Sequence, residues 1–195
     1  MHGLINRSLQ CFLRDTYGYP AWDAIAREAG LGMVDFESML SYDDAVTEQV
    51  IAAAVTVLRR PRDTLLEDLG NHLVSHDGGT SLCRLLRFSG VNFADFLNEM
   101  EELPERGRLV LPELDLPDLD LADHGGGKFQ LRVASRLPGA GHIILGLLRA
   151  MADDYGALVL MEYIGPSAGA EVIVLRIADQ AFNAARPFDL GLVEA

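Results

Sequence analysis

Apolar residues recur at helical spacing through the first half of the chain. Leu4, Ile5, Leu9, Phe12 and Leu13 form one stripe, and Tyr17-Gly18-Tyr19-Pro20 supplies its stop. A second, short helix is predicted over Ala21 to Ala29, closed by Gly30 and Gly32. Tyr42-Asp43-Asp44 reads as an N-terminal cap, with carboxylates where the helix dipole favours them, ahead of a helix from about Ala45 to Leu58. Arg59-Arg60-Pro61 ends that helix, and Asp63 caps the next, Thr64 to about His76. Asp77-Gly78-Gly79 is a turn, and Ser81 to Phe88 is a short helix stopped by Gly90. Asn92 caps a helix from Phe93 to about Leu103, which Pro104 is expected to end.

The period changes near residue 108. From Arg108 to Leu121 apolar and acidic residues alternate, and Pro112 and Pro117 keep the segment extended and outside a central sheet position. His124-Gly125-Gly126-Gly127 is a loop, read as a hairpin turn, and Lys128 to Leu137 is a strand. Pro138-Gly139-Ala140-Gly141 leads into a helix, His142 to Asp153. Strands follow over Ala157 to Ile164 and Glu171 to Ile177, joined by the turn from Gly165 to Gly169, and the tail after Ala178 is short. A helical lobe followed by an antiparallel sheet with one inserted helix is an α+β arrangement.

Composition narrows the function classes. The chain has 195 residues, 29 acidic against 16 basic, and a formal charge of −13. Such a surface argues against nucleic acid and anionic lipid as partners. The two cysteines, Cys11 and Cys83, make neither a disulfide framework nor a cysteine-based zinc site. Val50 to Leu58, the longest uncharged apolar run, is too short to span a bilayer, and the start lacks the pattern of a signal peptide. The expectation is a soluble, cytoplasmic protein with an ample core or an aliphatic-walled pocket. No nucleophile motif or Walker-type loop stands in the sequence, and Gly125-Gly126-Gly127 lies between strands, where it makes a poor phosphate cradle. Catalysis is therefore not expected.

Several local signatures stand in a recognisable order. Met1-His2-Gly3-Leu4-Ile5-Asn6 leads to Leu13-Arg14-Asp15-Thr16-Tyr17-Gly18 and then to Trp22. Tyr42-Asp43-Asp44 precedes Ile51-Ala52-Ala53-Ala54, and Leu65-Leu66-Glu67-Asp68-Leu69-Gly70 follows. Leu85-Leu86-Arg87-Phe88-Ser89-Gly90 precedes Phe93 and Phe96-Leu97, Pro112 and Pro117 stand as a pair, and Gly146-Leu147-Leu148 comes late. In this the chain resembles the H-NOX family, the haem nitric oxide/oxygen binding domain of bacterial gas sensors and of soluble guanylate cyclase. The resemblance runs over residues 1 to about 178, with a helical lobe to about residue 60, a haem-pocket lobe from about 61 to 178, and a C-terminal tail at 179–195.

The resemblance implies a b-type haem held between the lobes, an iron-binding histidine before the proline-rich segment, and a Tyr-x-Ser-x-Arg motif that grips the propionates. This sequence departs at both places. Counted from Phe96-Leu97, the histidine position is Pro104; counted back from Gly139 and Gly146, the motif reads Val133, Ser135 and Leu137. Only the serine remains, with Arg136 one residue out of register on a strand, where a shift of one reverses the face. Imidazole donates an electron pair to iron and proline's side chain does not. Apolar Val133 and Leu137 likewise replace propionate donors.

The same resemblance places Ile5, Leu9, Leu73, Ile143 and Leu147 along the distal pocket and Pro117 against the haem. The alternative for these residues is a collapsed core between lobes. With Ile143 at the distal position and no hydrogen-bonding tyrosine, a bound haem would favour NO over stable O₂. Met100 and His142 are the candidates left to ligate iron; a buried methionine ordinarily packs, and a histidine at a helix start ordinarily caps or faces solvent. His72 and His76 share a helix face at i,i+4 without a third ligand, Cys83 reads as a small buried residue, and His2 and His124 read as surface residues. The expected function is a stand-alone H-NOX-like sensor domain, degenerate in haem ligation, that signals to a histidine kinase or a cyclic-dinucleotide enzyme. The alternative is a haem-independent module that binds another apolar ligand or a partner protein.

Overall fold

The computed structural model describes residues 1–32, 35–75, 90–110 and 113–178. The predicted helix Ser81 to Phe88, the turn at 77–79, His76, Cys83, Pro112 and the tail 179–195 lie outside the described residues. Helix α1, Gly3–Tyr17, is opened by His2, whose Nδ1 accepts the Leu4 N–H at 3.2 Å. The expectation that His2 sits at the surface is corrected, since it is only 5% exposed. Its main chain bridges to Ser41, and a Cβ at Gly3 would stand 2.1 Å from the Glu37 carbonyl oxygen. The loop thus closes over residues 2 and 3, and only glycine admits so near a backbone.

Helix α2 spans Tyr19–Glu28, α3 Asp44–Leu58 and α4 Arg62–Ser75. Asp43 caps α3 as expected, its carboxylate accepting the Ala45 N–H at 2.9 Å. The apolar stripes of the four helices meet in one core containing Leu9, Phe12, Leu13, Trp22, Ile25, Val50, Ile51, Leu66 and Leu69. A polar pair lies inside it: the Thr47 hydroxyl donates to Asn6 Oδ1 at 2.6 Å, and both side chains are buried. Asn6 Nδ2 is buried with no hydrogen-bond partner among the described residues.

The segment after Asn92 corrects two expectations. Helix α5, Phe93–Glu99, passes through a single 3₁₀ turn, Met100–Glu102, into a further helix α6, Leu103–Val110. Pro104 therefore does not end a helix but stands in the first turn of one. There its missing N–H has no partner to lose and its fixed φ is already helical. The strand expected from Arg108 is confined to β1, Asp118–Asp123, because residues 108–110 belong to α6. Leu109 lies in that helix, whereas Leu119 and Leu121 share a sheet face.

Strand β2 spans Lys128–Ala134, helix α7 Ala140–Asp154, β3 Val159–Ser167 and β4 Ala170–Ile177. The sheet is antiparallel throughout, in the order β1-β2-β4-β3, so β1, which follows Pro117, is an edge strand. Phe129, Leu131 and Val133 of β2 and Ile173, Leu175 and Ile177 of β4 point to one face. They join Leu145, Leu148 and Met151 of α7 and Phe93, Phe96 and Met100 in a second core. The expected strand to Leu137 stops at Ala134; Ser135 Oγ accepts the Leu137 N–H at 3.1 Å, and Leu137 turns into the helical core.

The cores meet where α4 crosses α7. A Cβ at Gly70 would lie 1.9 Å from the Ile143 carbonyl oxygen, and one at Gly146 would lie 1.9 Å from that of Glu67. The two helices therefore touch backbone to backbone, which fixes the lobes against each other. The result is an α+β molecule, as the periodicities predict. No helix among the described residues is long and apolar enough to cross a membrane.

Candidate functional site

Pro104 is buried at the start of α6, beside Leu103 at 9% exposure, and Met100 at 1% belongs to the sheet core. The acidic groups of this arm point outward to partners of their own. Arg106 bonds Glu99 at 3.1 Å and Glu102 at 2.6 Å, and Glu101 accepts the Leu121 N–H at 2.6 Å. Arg108 reaches the Leu116 carbonyl oxygen at 3.1 Å and Asp118 at 2.6 Å, which ties the arm to β1. Pro117 is half-buried between them. What occupies the interior end of the arm is proline ring, leucine and thioether, with one soft donor atom, the Met100 sulfur, enclosed by apolar neighbours.

The three motif positions part company after β2. Val133, 1% exposed, packs in the sheet core, and Leu137, 8% exposed, packs in the helical core. Ser135 lies at the surface with its hydroxyl used by the Leu137 N–H. Arg136 is exposed, its Nε 3.6 Å from Asp115.

Of the distal candidates, Leu9, Leu73 and Ile143 pack in or against the helical core, and Leu147 belongs to the sheet core across the α4–α7 seam. Ile5 is half-buried and joins neither. A cleft of about 580 Å³ opens between α1 and α4, lined by Phe12, Tyr17, Arg60, Asp68 and His72 among others. None of the distal candidates lines it. His72 stacks on Phe12 with centroids 5.5 Å apart and lies 3.6 Å from Asp15.

His142 is 8% exposed, so it neither faces solvent nor caps α7. Its Nδ1 lies 3.2 Å from Glu67 and its Nε2 3.7 Å from Asp63, both on α4. Its ring lies against Tyr163 of β3, centroids 4.0 Å apart. Arg149 closes the ring of contacts on Glu67. The α7 N-terminus is capped from a distance instead. Glu171 of β4 accepts the Gly139 N–H at 2.7 Å and the Gly141 N–H at 3.0 Å, and the Tyr163 hydroxyl donates to it at 2.8 Å. Burial first, then the bond to the Glu171 carboxylate, pushes the Tyr163 hydroxyl up to about 12. Sequence reasoning missed Glu171 and Tyr163. Their only signal was a bare glycine start to α7, a helix end without a side-chain cap of its own. His124 is exposed as expected, and no group of three or more His, Cys, Asp or Glu among the described residues is placed to hold a metal ion.

A helical lobe locked by two glycines onto a four-stranded antiparallel sheet with an inserted helix makes a two-lobed α+β domain. The sequence profile of the HNOB family, Haem-NO-binding, matches residues 2–163, and the chain belongs to this H-NOX family. It is similar to soluble guanylate cyclase gcy-31 of Caenorhabditis elegans, 23% identical over 154 residues, covering 79% of this chain and 22% of that protein. It is similar also to soluble guanylate cyclase 89Db of Drosophila melanogaster, 19% identical over 164 residues, 84% of this chain and 24% of the relative. The chain thus spans about a quarter of the length of these relatives or less. Among solved structures, the Fe(II) unliganded H-NOX protein of K. algicida matches with TM-score 0.78 at 16% identity, over 92% of this chain and 97% of that one. The Fe(II)NO form of the S. oneidensis H-NOX protein matches with TM-score 0.76 at 16% identity, over 92% and 100%.

Proposed function

We propose that this chain is a signalling sensor module of the H-NOX family that has given up the family's way of holding haem iron. The observation that carries this reading is Pro104, a buried, helix-opening residue with no side-chain donor where the resemblance places the histidine. The remaining groups do not fit a haem held in the family's manner. Val133 and Leu137 are packed into two different cores, Ser135 is committed to the Leu137 N–H, and Arg136 is drawn to Asp115. Both ring nitrogens of His142 face carboxylates, and Met100 is enclosed. An iron–histidine bond that breaks on gas binding is thus not the switch of this module.

Its signal is instead the relative placement of the two lobes across the α4–α7 seam, set by an apolar ligand between Leu9, Leu73, Ile143 and Leu147 or by a partner protein. The partner is a histidine kinase or a cyclic-dinucleotide enzyme, and the chain itself binds without catalysing. The test is optical. Purified protein titrated with haem, reduced and exposed to NO should show no saturable Soret band above free haem and no NO-dependent shift. A one-to-one complex whose Soret band moves with NO would overturn the proposal.

A further inference from the structure

The sheet ends in two edge strands, β1 and β3, and the two edges differ. Every second residue of an edge strand turns its N–H and C=O groups away from the sheet. In β1 the His124 N–H bonds the Lys128 carbonyl oxygen at 2.9 Å, a phase that sends the main-chain groups of Leu119 and Leu121 outward. There Glu101 takes the Leu121 N–H at 2.6 Å, and Arg108 ties down the start of the strand through Asp118. In β3 the Ala178 N–H bonds the Leu158 carbonyl oxygen at 2.8 Å, a phase that sends the main-chain groups of Val159, Met161 and Tyr163 outward. No described residue bonds these groups. A bulge and a proline, common protections of an edge, come only after them, at Gly165 and Pro166.

The open edge is also apolar. Leu158 is 70% exposed, Leu160 67% and Ile164 57%, three of the nine large exposed apolar side chains among the described residues. Glu162 is the one charged residue from Leu158 to Ser167. On the sheet face turned away from α7, Asp118, Asp120 and Glu162 balance Lys128, Arg132 and Arg176. It is therefore the edge, with its free main-chain groups, that lacks a complement. Such an edge is a template for another strand.

We infer that β3 pairs antiparallel with β3 of a second copy of this chain, about a two-fold axis at Met161. Two four-stranded sheets then become one of eight strands. Self-pairing requires that the outward-turned residues meet one another, so the axis falls at Leu160, Met161 or Glu162. An axis at Glu162 sets two like carboxylates face to face, which destabilises a sheet. An axis at Leu160 puts Glu162 on Leu158 and leaves Tyr163 and Ile164 beyond the paired strand. An axis at Met161 sets Val159 opposite Tyr163, Leu160 opposite Glu162, and Leu158 toward Ile164. It also brings Glu162 of one copy, across Leu160 of the other, into the row that holds that copy's Arg176 and Lys128. Those two cations face each other across β4 and β2 with no ion pair to a described residue, and Glu162 makes none to Arg176 of its own chain. The strand is thus complementary to itself in one register, in apolar groups and in charge. The edge lies away from the α4–α7 seam, so the pairing does not depend on what fills the space between the lobes.

The test is sedimentation of the full chain over a range of concentrations, in about 0.15 M salt to screen the repulsion between two chains of charge −13. A reversible dimer with a Kd below about 1 mM is expected. Met161→Pro removes the central outward N–H, which β4 does not use, and should leave the chain folded by circular dichroism but monomeric. Met161→Ala loses the same side chain, keeps the N–H and should still dimerise. Glu162→Lys and Arg176→Glu should each weaken the dimer about tenfold or more, and the two together should restore it. The proposal fails if the chain stays monomeric up to about 1 mM. It also fails if Met161→Pro and Met161→Ala behave alike, or if the charge-swapped double variant is no better than the single ones. A dimer lost on deletion of residues 179–195 would place the contact there and overturn it. A monomer that takes up an added alternating Thr-Val peptide on β3 would make the edge a peptide site and overturn it too.

Discussion

Along the α4–α7 seam two helices touch through their main chains at Gly70 and Gly146. In the arm from Met100 to Pro117 the chain changes helix type, restarts at a proline and sends its charged groups outward. The seam is held by atoms that no substitution can spare, because any side chain at either glycine collides with a carbonyl group. The arm is held by generic apolar burial and by surface ion pairs. Position is thus fixed tightly at the seam and loosely at the arm, and it is in the arm that we propose the departure from the family's chemistry.

The largest effect expected follows from the seam. Gly146→Ala or Gly70→Ala places a methyl group 1.9 Å from a carbonyl oxygen and forces the helices apart. Overpacking of a well-packed contact costs about 1–3 kcal/mol, and backbone against backbone leaves no rotamer to relieve it, so a loss of about 3 kcal/mol or more is expected in chemical denaturation. A loss below about 1 kcal/mol would mean that the lobes slide freely and that the seam does not define their placement.

Next comes the cap that joins the sheet to the seam. Glu171→Ala leaves the Gly139 and Gly141 N–H groups without their carboxylate and strips Tyr163 of its acceptor. A lost cap costs about 1 kcal/mol and an unsatisfied half-buried donor about as much again, so about 2 kcal/mol is expected from thermal unfolding. Glu171→Gln, which keeps one acceptor oxygen, should recover part of it.

A smaller effect separates the same cap by pH. Tyr163 holds its proton up to about 12 in the folded chain, above the ordinary value near 10 for the unfolded one. The folded state therefore binds more protons between those values, and stability falls as pH rises through them. Below pH 10 the contribution is fully present. Because the side chain is half-exposed, screening reduces it to the order of 1 kcal/mol. The fall in Tm between pH 10 and 12 should be shallower in Tyr163→Phe than in the natural protein, and parallel curves would count against the assignment.

Much of this was legible in the residue pattern because the signals are local. Asp43 before a helix, the alternation of Phe129, Leu131 and Val133, and the glycines between strands each act within a few residues. Only the family resemblance singles out Pro104, Val133 and Leu137, as proposed departures. Their packing followed from their chemistry, since apolar side chains placed near an interior join it. Effects across distance were not legible. His2 is buried by a loop some forty residues on, and Glu171 caps a helix thirty residues behind it. The wrong sign at Pro104 has a local cause. A proline announces a missing N–H, and whether that ends one helix or begins another depends on what the next turn does.

That ambiguity sets the smallest expected effect, at the arm. Pro104 sits in the first turn of α6, where its nitrogen has no intrahelical carbonyl to satisfy. Pro104→Ala gives up the ring's burial and the entropy the ring removes from the unfolded chain, about 0.4–1 kcal/mol for the latter, and it gains the best helix former in return. The terms oppose each other, so the change should stay within about 1 kcal/mol. Pro104→His installs the residue type that the proposed alignment expects there, but it puts an imidazole where the neighbours are Leu103 and Met100, both buried. Without a partner for its ring nitrogens that burial costs about 1–3 kcal/mol. The ordering, alanine tolerated and histidine not, is the sharp form of the contrast between arm and seam. If histidine were instead as stable as alanine without haem, the arm would contain a prepared site for an imidazole, and the proposed loss of chemistry there would be a single substitution deep.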